Sequence, residues 1–209
     1  MVVWANLMET ILINHPASSK ITIRENEKKQ VVLFLSGNMD KKLEVNLMGQ
    51  NSWVEIIALV IGQQNSKISF STIQHHRAAN TQSNLLVKSL LFADSSFKYE
   101  GLIKIDKMAW FSDAYLRNDN LLFGSDCICE SRPYLEISAN NVLCTHAVRT
   151  GKIEKEQLYY LNSRGISENK AFELIAESVC TSLLEKIKNS VIVEEIKKVI
   201  EQKLHAAIS

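Results

Sequence analysis

Apolar and polar positions change rhythm twice along the chain. Between Lys20 and His146 apolar residues alternate with polar ones or gather in short runs, as in Ile21-Thr22-Ile23, residues 31–35, Leu43-Glu44-Val45-Asn46-Leu47, residues 53–60 and Ile68-Ser69-Phe70. The series continues through residues 85–91, 97–105, 120–123, 134–137 and 142–144. A period of two sends successive side chains to opposite faces of an extended backbone. Ten such stretches, with no long helical pattern between them, predict an all-β body.

Helical spacing brackets this body. Trp4, Leu7, Met8, Ile11 and Leu12 recur three and four apart, which predicts a short N-terminal helix that His15-Pro16 ends. After Gly151 the pattern predicts a first helix up to Ser163, stopped by Arg164-Gly165, a basic last-turn residue and a glycine suited to a left-handed cap. Ser167 can cap a second helix, with Glu168 at the positive end of its dipole and Phe172, Ile175, Val179, Leu183 and Ile187 on one stripe. A third runs from about Val191 to Ala207, with Ile192, Ile196, Val199, Ile200 and Leu204 opposite Glu194, Lys197, Lys198 and Glu201. The expected organisation is a cap segment 1–19, a β core 20–150 and a helical domain 151–209.

Sandwiches, barrels and solenoids share this β texture. Two prolines and seven glycines in 209 residues are few for a sandwich or propeller, so the turns are expected to use Asn, Asp and Ser. Leu86, Ile105, Leu122 and Leu143 follow one another at 19, 17 and 21 residues, near the size of one coil in a stacked solenoid. A net charge of +1, from 24 basic and 23 acidic residues, gives no electrostatic case for nucleic acid or an anionic membrane as the principal partner. Residues 1–13 lack a basic leader region and no run reaches the ~18 apolar residues of a membrane helix. The expectation is a cytoplasmic protein whose Cys127, Cys129, Cys144 and Cys180, without any CxxC pair, stay reduced.

The most specific stretch begins at Pro133: Pro133-Tyr134-Leu135-Glu136-Ile137-Ser138-Ala139, then Val142-Leu143-Cys144-Thr145-His146, Gly151, and Leu161-Asn162-Ser163-Arg164-Gly165-Ile166. Upstream stand His76-Arg77-Ala78-Ala79-Asn80-Thr81-Gln82-Ser83 and Phe97-Lys98-Tyr99-Glu100-Gly101-Leu102-Ile103-Lys104-Ile105. In order and spacing this run resembles the SufB/SufD family of iron-sulfur cluster assembly proteins, over roughly Ile21 to the C-terminus. The resemblance implies a right-handed parallel β-helix core followed by a small α-helical domain. It also implies helices that dock a SufC-type ABC ATPase, and SufB–SufC–SufD assemblies on which a cluster is built. Asn118 stands where SufB proteins carry a cysteine, and Ala147 where they carry a glutamate after the motif histidine. Cys144-Thr145-His146-Ala147 follows the SufD pattern instead. A shortened or divergent SufD-like chain, without the N-terminal region its relatives usually carry, is therefore expected.

Cys144 and His146 are two apart, so on a strand both point to one face. A thiolate and an imidazole can ligate iron or a cluster edge, but two donors cannot enclose one. The cluster would be transient and shared with a partner; the bland alternative is a buried cysteine beside a hydrogen-bonded histidine at a subunit contact. Cys127 and Cys129 would complete four donors for zinc if they converged on that pair. His75 and His76, adjacent on a strand, face opposite ways and are expected to be solvated or hydrogen-bonded. The expected function is a SufD-like subunit, not itself an enzyme. It would pair with a SufB-like or identical chain through the late strands around residues 135–144 and engage the ATPase through residues 154–207. The competitors are a structural solenoid partner without a metal site, and a carbohydrate-active β-helix enzyme using Asp113, Asp119 and Asp126 at turns.

Overall fold

The chain winds between two sheets, placing one strand in each by turns. Its structure, a computed structural model, describes residues 8–13 and 18–208. The first sheet holds β1 (Glu9–Ile13), β3 (Lys28–Ser36), β5 (Trp53–Gly62), β7 (Gln82–Leu91), β9 (Asp113–Leu122) and β11 (Leu143–Lys152), in that spatial order. The second holds β10 (Ile128–Ile137), β8 (Ser96–Ile105), β6 (Lys67–His76), β4 (Met39–Leu47) and β2 (Ser19–Ile23). All the pairings are parallel, so the body is a parallel β-solenoid with two strands per coil. Three helices follow: α1 (Lys155–Ser163), α2 (Glu168–Leu184) and α3 (Ser190–Ile208). None of them is long and apolar enough to cross a membrane.

The ten strands expected from the alternating pattern coincide in order with β2 to β11. Two expectations are corrected. Residues 9–13 form β1 rather than part of a helix, because Ile11, Leu12 and Ile13 pair in register with Val31, Val32 and Leu33; sheet pairing overrides the local spacing. Trp4 and Leu7 lie outside the described residues. The coil is also longer than the leucine spacing suggested. Trp53, Gln82, Asp113 and Leu143 stand side by side in the first sheet, 29, 31 and 30 residues apart. The leucine anchors fall on strands of both sheets, so their intervals do not measure a coil.

Two apolar layers hold the molecule. One fills the space between the sheets, with Val54, Ile56, Leu85, Val87, Phe97, Tyr99, Ile103 and Leu116 among its members. The other lies outside the first sheet, where Val32, Ile57, Leu59, Ile61, Leu90 and Phe92 meet the inner faces of α2 and α3. Because β5 is covered on both faces, it is apolar without a break from Ile56 to Ile61, as parallel strands under helices are. On α2 the buried positions are Ala171, Ala176, Cys180 and Leu183, with Phe172, Ile175 and Val179 at the margin, so small residues bring the helix axis close to the sheet. Gln30 fastens the tail: its amide donates to the Lys186 carbonyl at 2.8 Å and accepts from the Lys188 N–H at 3.0 Å.

The turns explain how so few glycines suffice. A left-handed residue stands two positions before β3, β5, β7, β9 and β11, namely Asn26, Asn51, Asn80, Phe111 and Asn141. Asparagine tolerates this conformation better than other side chains. The stacked amides also bond one another, Asn51 donating to Asn26 at 3.2 Å. Phe111 is the exception in the series.

Candidate functional site

The solenoid stops at β10 and β11 with no further coil stacked on them among the described residues. Register fixes what they display there. Cys144 sits beside buried Ala114, His146 beside buried Leu116, Val148 beside Asn118 and Thr150 beside Asn120. The alternate side chains of β11 therefore point the way the core residues of β9 do, yet His146, Val148 and Thr150 are exposed and Cys144 is half-buried. On β10, Leu135 and Ile137 continue the rows of buried Ile103 and Ile105 and are likewise exposed. The end of the molecule is an unfinished core with a thiol and an imidazole on one face. Partial burial raises the Cys144 pKa, and the Asp113 carboxylate pushes it the same way. The thiol form is favoured until a metal or a cation displaces the proton.

Inward from this pair runs a connected set of neutral polar groups. The Asn120 amide donates to Asn118 Oδ1 at 2.8 Å, to Thr150 Oγ1 at 3.0 Å and to Ser131 Oγ at 3.2 Å. Its oxygen accepts from Ser89 at 2.7 Å and from Asn118 Nδ2 at 3.0 Å. Asn118, fully buried, thus has both amide atoms satisfied; Ser131 also donates to its oxygen. This set pins β7, β9, β10 and β11 together. It escaped the sequence argument, although Asn118 and Asn120 at a spacing of two were its visible sign.

The other candidates separate. Cys127 donates to the carbonyls of Leu91 and Ala93 at 3.1 and 3.2 Å. Cys129 bonds Ser131 and Thr150, and burial raises its pKa. Since β11 follows β10 through one turn, Cys129 at the start of β10 faces the end of β11, away from Cys144 and His146 at the other end. A zinc site of these four donors does not form, and no group of three or more His, Cys, Asp or Glu side chains suited to a metal occurs among the described residues. His75 bonds Asp106 at 2.9 Å and accepts from Arg77 at 3.2 Å. His76 is buried between Thr81 and Ser83, at 2.7 and 2.8 Å, and burial, helped by neighbouring His75, lowers its pKa to about 4. Both are hydrogen-bonded structural residues. Asp113 and Asp119 lie on β9 rather than in turns, six residues or roughly 20 Å apart at strand rise. That separation is too wide for the paired carboxylates of a glycosidase.

The helices present a second surface. Gly165, at φ 82°, ends α1, and Ser167 caps α2 by accepting from the Lys170 N–H. No residue of α1 is buried; Tyr159 is 77% exposed, and Arg164 lies over the Tyr160 ring at 5.3 Å.

Residues 13–179 match the family model described as SUF system FeS cluster assembly, SufBD core domain. The chain is similar to the iron-sulfur cluster assembly protein SufD of Escherichia coli, 28% identical over 198 residues, which is 94% of this chain and 47% of that one. It is similar to a SufBD family protein of Synechocystis sp., 26% identical over 162 residues, covering 78% of this chain and 34% of the other. A further SufBD family relative, from Staphylococcus saprophyticus, is 25% identical over 177 residues, 82% of this chain and 36% of its own. The chain thus spans half or less of the length of these relatives. With a match that covers most of the chain, including β2 to β11, α1 and most of α2, it belongs to the SufBD core family of the SUF iron-sulfur cluster assembly system.

Proposed function

We propose that this chain is a SufD-like, non-catalytic subunit of an iron-sulfur cluster assembly complex. It pairs through the β10–β11 end with a SufB-like or identical chain, and it engages a SufC-type ABC ATPase through its helical tail. The observation that carries this reading is the unfinished last coil, where Cys144 and His146 stand on one face of an edge strand. Edge strands recruit further strands through their unpaired N–H and C=O groups. A cluster held there is cargo in transit: His146 supplies one nitrogen donor, Cys144 a supporting sulfur, and the remaining thiolates come across the interface. The exposed tyrosine face of α1 supports ATPase docking, since aromatic side chains dominate protein contacts.

Anaerobic reconstitution with iron and sulfide, in the presence of a SufB-family partner, tests the ligand role. Visible charge-transfer absorption is expected, weakened by His146→Ala and unchanged by His75→Ala, while the chain alone binds iron poorly. Equal absorption for His146→Ala and wild type would leave a partner that keeps the fold and pairing surface without a metal site.

A further inference from the structure

We propose that the cleft between the outer face of the first sheet and helices α1 and α2 binds a phosphate monoester carried on a single ring, a site independent of the pairing and docking readings above. The cleft holds about 290 Å³ and lies against β7, β9, β11 and the first turn of α1. Register fixes its floor. Lys88, Asp119 and Arg149 stand side by side on three neighbouring strands, and Leu90, Leu121 and Gly151 form the row two positions on. Both rows point out of the solenoid, toward the helices, and Lys88 donates to Ser182 Oγ of α2 at 2.7 Å.

Charge selects an anion. Arg117 engages Asp119 at 2.8 Å and so occupies the one carboxylate of the row. Lys88 and Arg149 are left without an ion pair among the described residues. Burial lowers the pKa of half-buried Lys88; Asp119 opposes that shift, but Arg117 and Lys186 add to it. An ammonium desolvated without a partner charge of its own is relieved by a bound anion. Glu154, the other acid of the wall, is exposed and makes no capping bond, so the positive end of α1 opens on the cleft. Two unpaired cations match a dianion, and a phosphate monoester carries about two negative charges near neutral pH. With strands about 4.8 Å apart, the backbones of Lys88 and Arg149 are about 10 Å apart, a span that two long side chains close around one phosphate. The guanidinium fork of Arg149 suits two of its oxygens and the Lys88 ammonium a third.

Size and walls set the rest of the ligand. Leu121, Ile153, Ile175 and Val179 supply an apolar side, and Gly151 leaves open space above the strand. Ligand clefts begin at about 300 Å³, so this one takes a phosphate with one ring and excludes a dinucleotide.

Isothermal titration calorimetry on the full chain tests the site. The probe is phenyl phosphate, with inorganic phosphate and phenol as its two halves and a phosphotyrosine peptide as a second source of the same group. Phenyl phosphate is expected to bind once per chain, about tenfold or more tighter than inorganic phosphate, with phenol silent and the peptide weaker. Arg149→Gln and Lys88→Met should each weaken it about tenfold or more. Gly151→Val should block it by filling the open space, and Lys67→Met, in the second sheet, should leave it unchanged. Arg149 is exposed, so Arg149→Gln reports on binding at unchanged Tm even if Lys88→Met disturbs the packing under α2. Phenyl phosphate that gives no heat with wild type, or that binds all the variants equally, would overturn the site. Inorganic phosphate that binds as tightly as phenyl phosphate would overturn the part given to the apolar wall, and a tighter peptide would overturn the small molecule as occupant.

Discussion

His76 gives the clearest case of a single side chain governing a property of the whole. Sealed between Thr81 and Ser83, it stays neutral in the folded protein down to about pH 4. In the unfolded chain an imidazole takes up its proton near pH 6.5. The unfolded state therefore binds more protons between these values, and stability present above pH 6.5 is lost as the pH falls toward 4, by about 3 kcal/mol for this group. Denaturant unfolding at pH 7 and pH 4.5 should show most of that loss, and His76→Gln should flatten it; an unchanged slope would assign acid sensitivity to other groups. The shared face of Cys144 and His146 was legible, because a spacing of two on any strand fixes it. That the face opens on solvent was not, since alternation along one strand is silent on whether another coil follows. The amide set around Asn120 was hidden for a related reason: its partners Ser89, Ser131 and Thr150 come from three other strands, brought together only by the coil register.

At the level of elements, legibility followed burial. Strands with a fully covered inner face, β3 to β8, carry the alternation or continuous apolar run that marks them. Only fragments of β9, β10 and β11 stood out. Asn118 and Asn120 occupy inner positions of β9, and the other two strands lack a covering layer, so selection for apolar residues is relaxed. The helices were bounded well because their signals are local: Ser167 at a cap, Gly165 in the left-handed region. Their inner faces, however, cover Ile57, Leu59 and Ile61, so deleting the tail would strip a core layer. The sharper test of ATPase docking is a surface change. Tyr159→Ala with Tyr160→Ala should abolish co-purification with the ATPase at unchanged Tm; retained binding would place the docking surface elsewhere.

For the molecule as a whole, the proposed pairing through the open end is open to a direct test. Leu143→Asp puts a charge on an already exposed side chain at the start of the edge strand, so folding should be untouched. Light scattering should then report a monomer where wild type pairs, and a dimer that persists would move the interface away from β11. The helical clasp carries a consequence of another kind, concerning the order in which the chain is made. Val32, Ile57 and Ile61 lie on strands that leave the ribosome early, yet their cover, Ile192, Ile196 and Ile200, is translated more than a hundred residues later. Gln30 waits as long for Lys186 and Lys188. At about 5–20 residues per second, several seconds pass in which a finished set of coils shows a bare apolar stripe to the cell. During that interval the nascent protein is a client for chaperones, and a premature stop anywhere in the last two helices would make the exposure permanent.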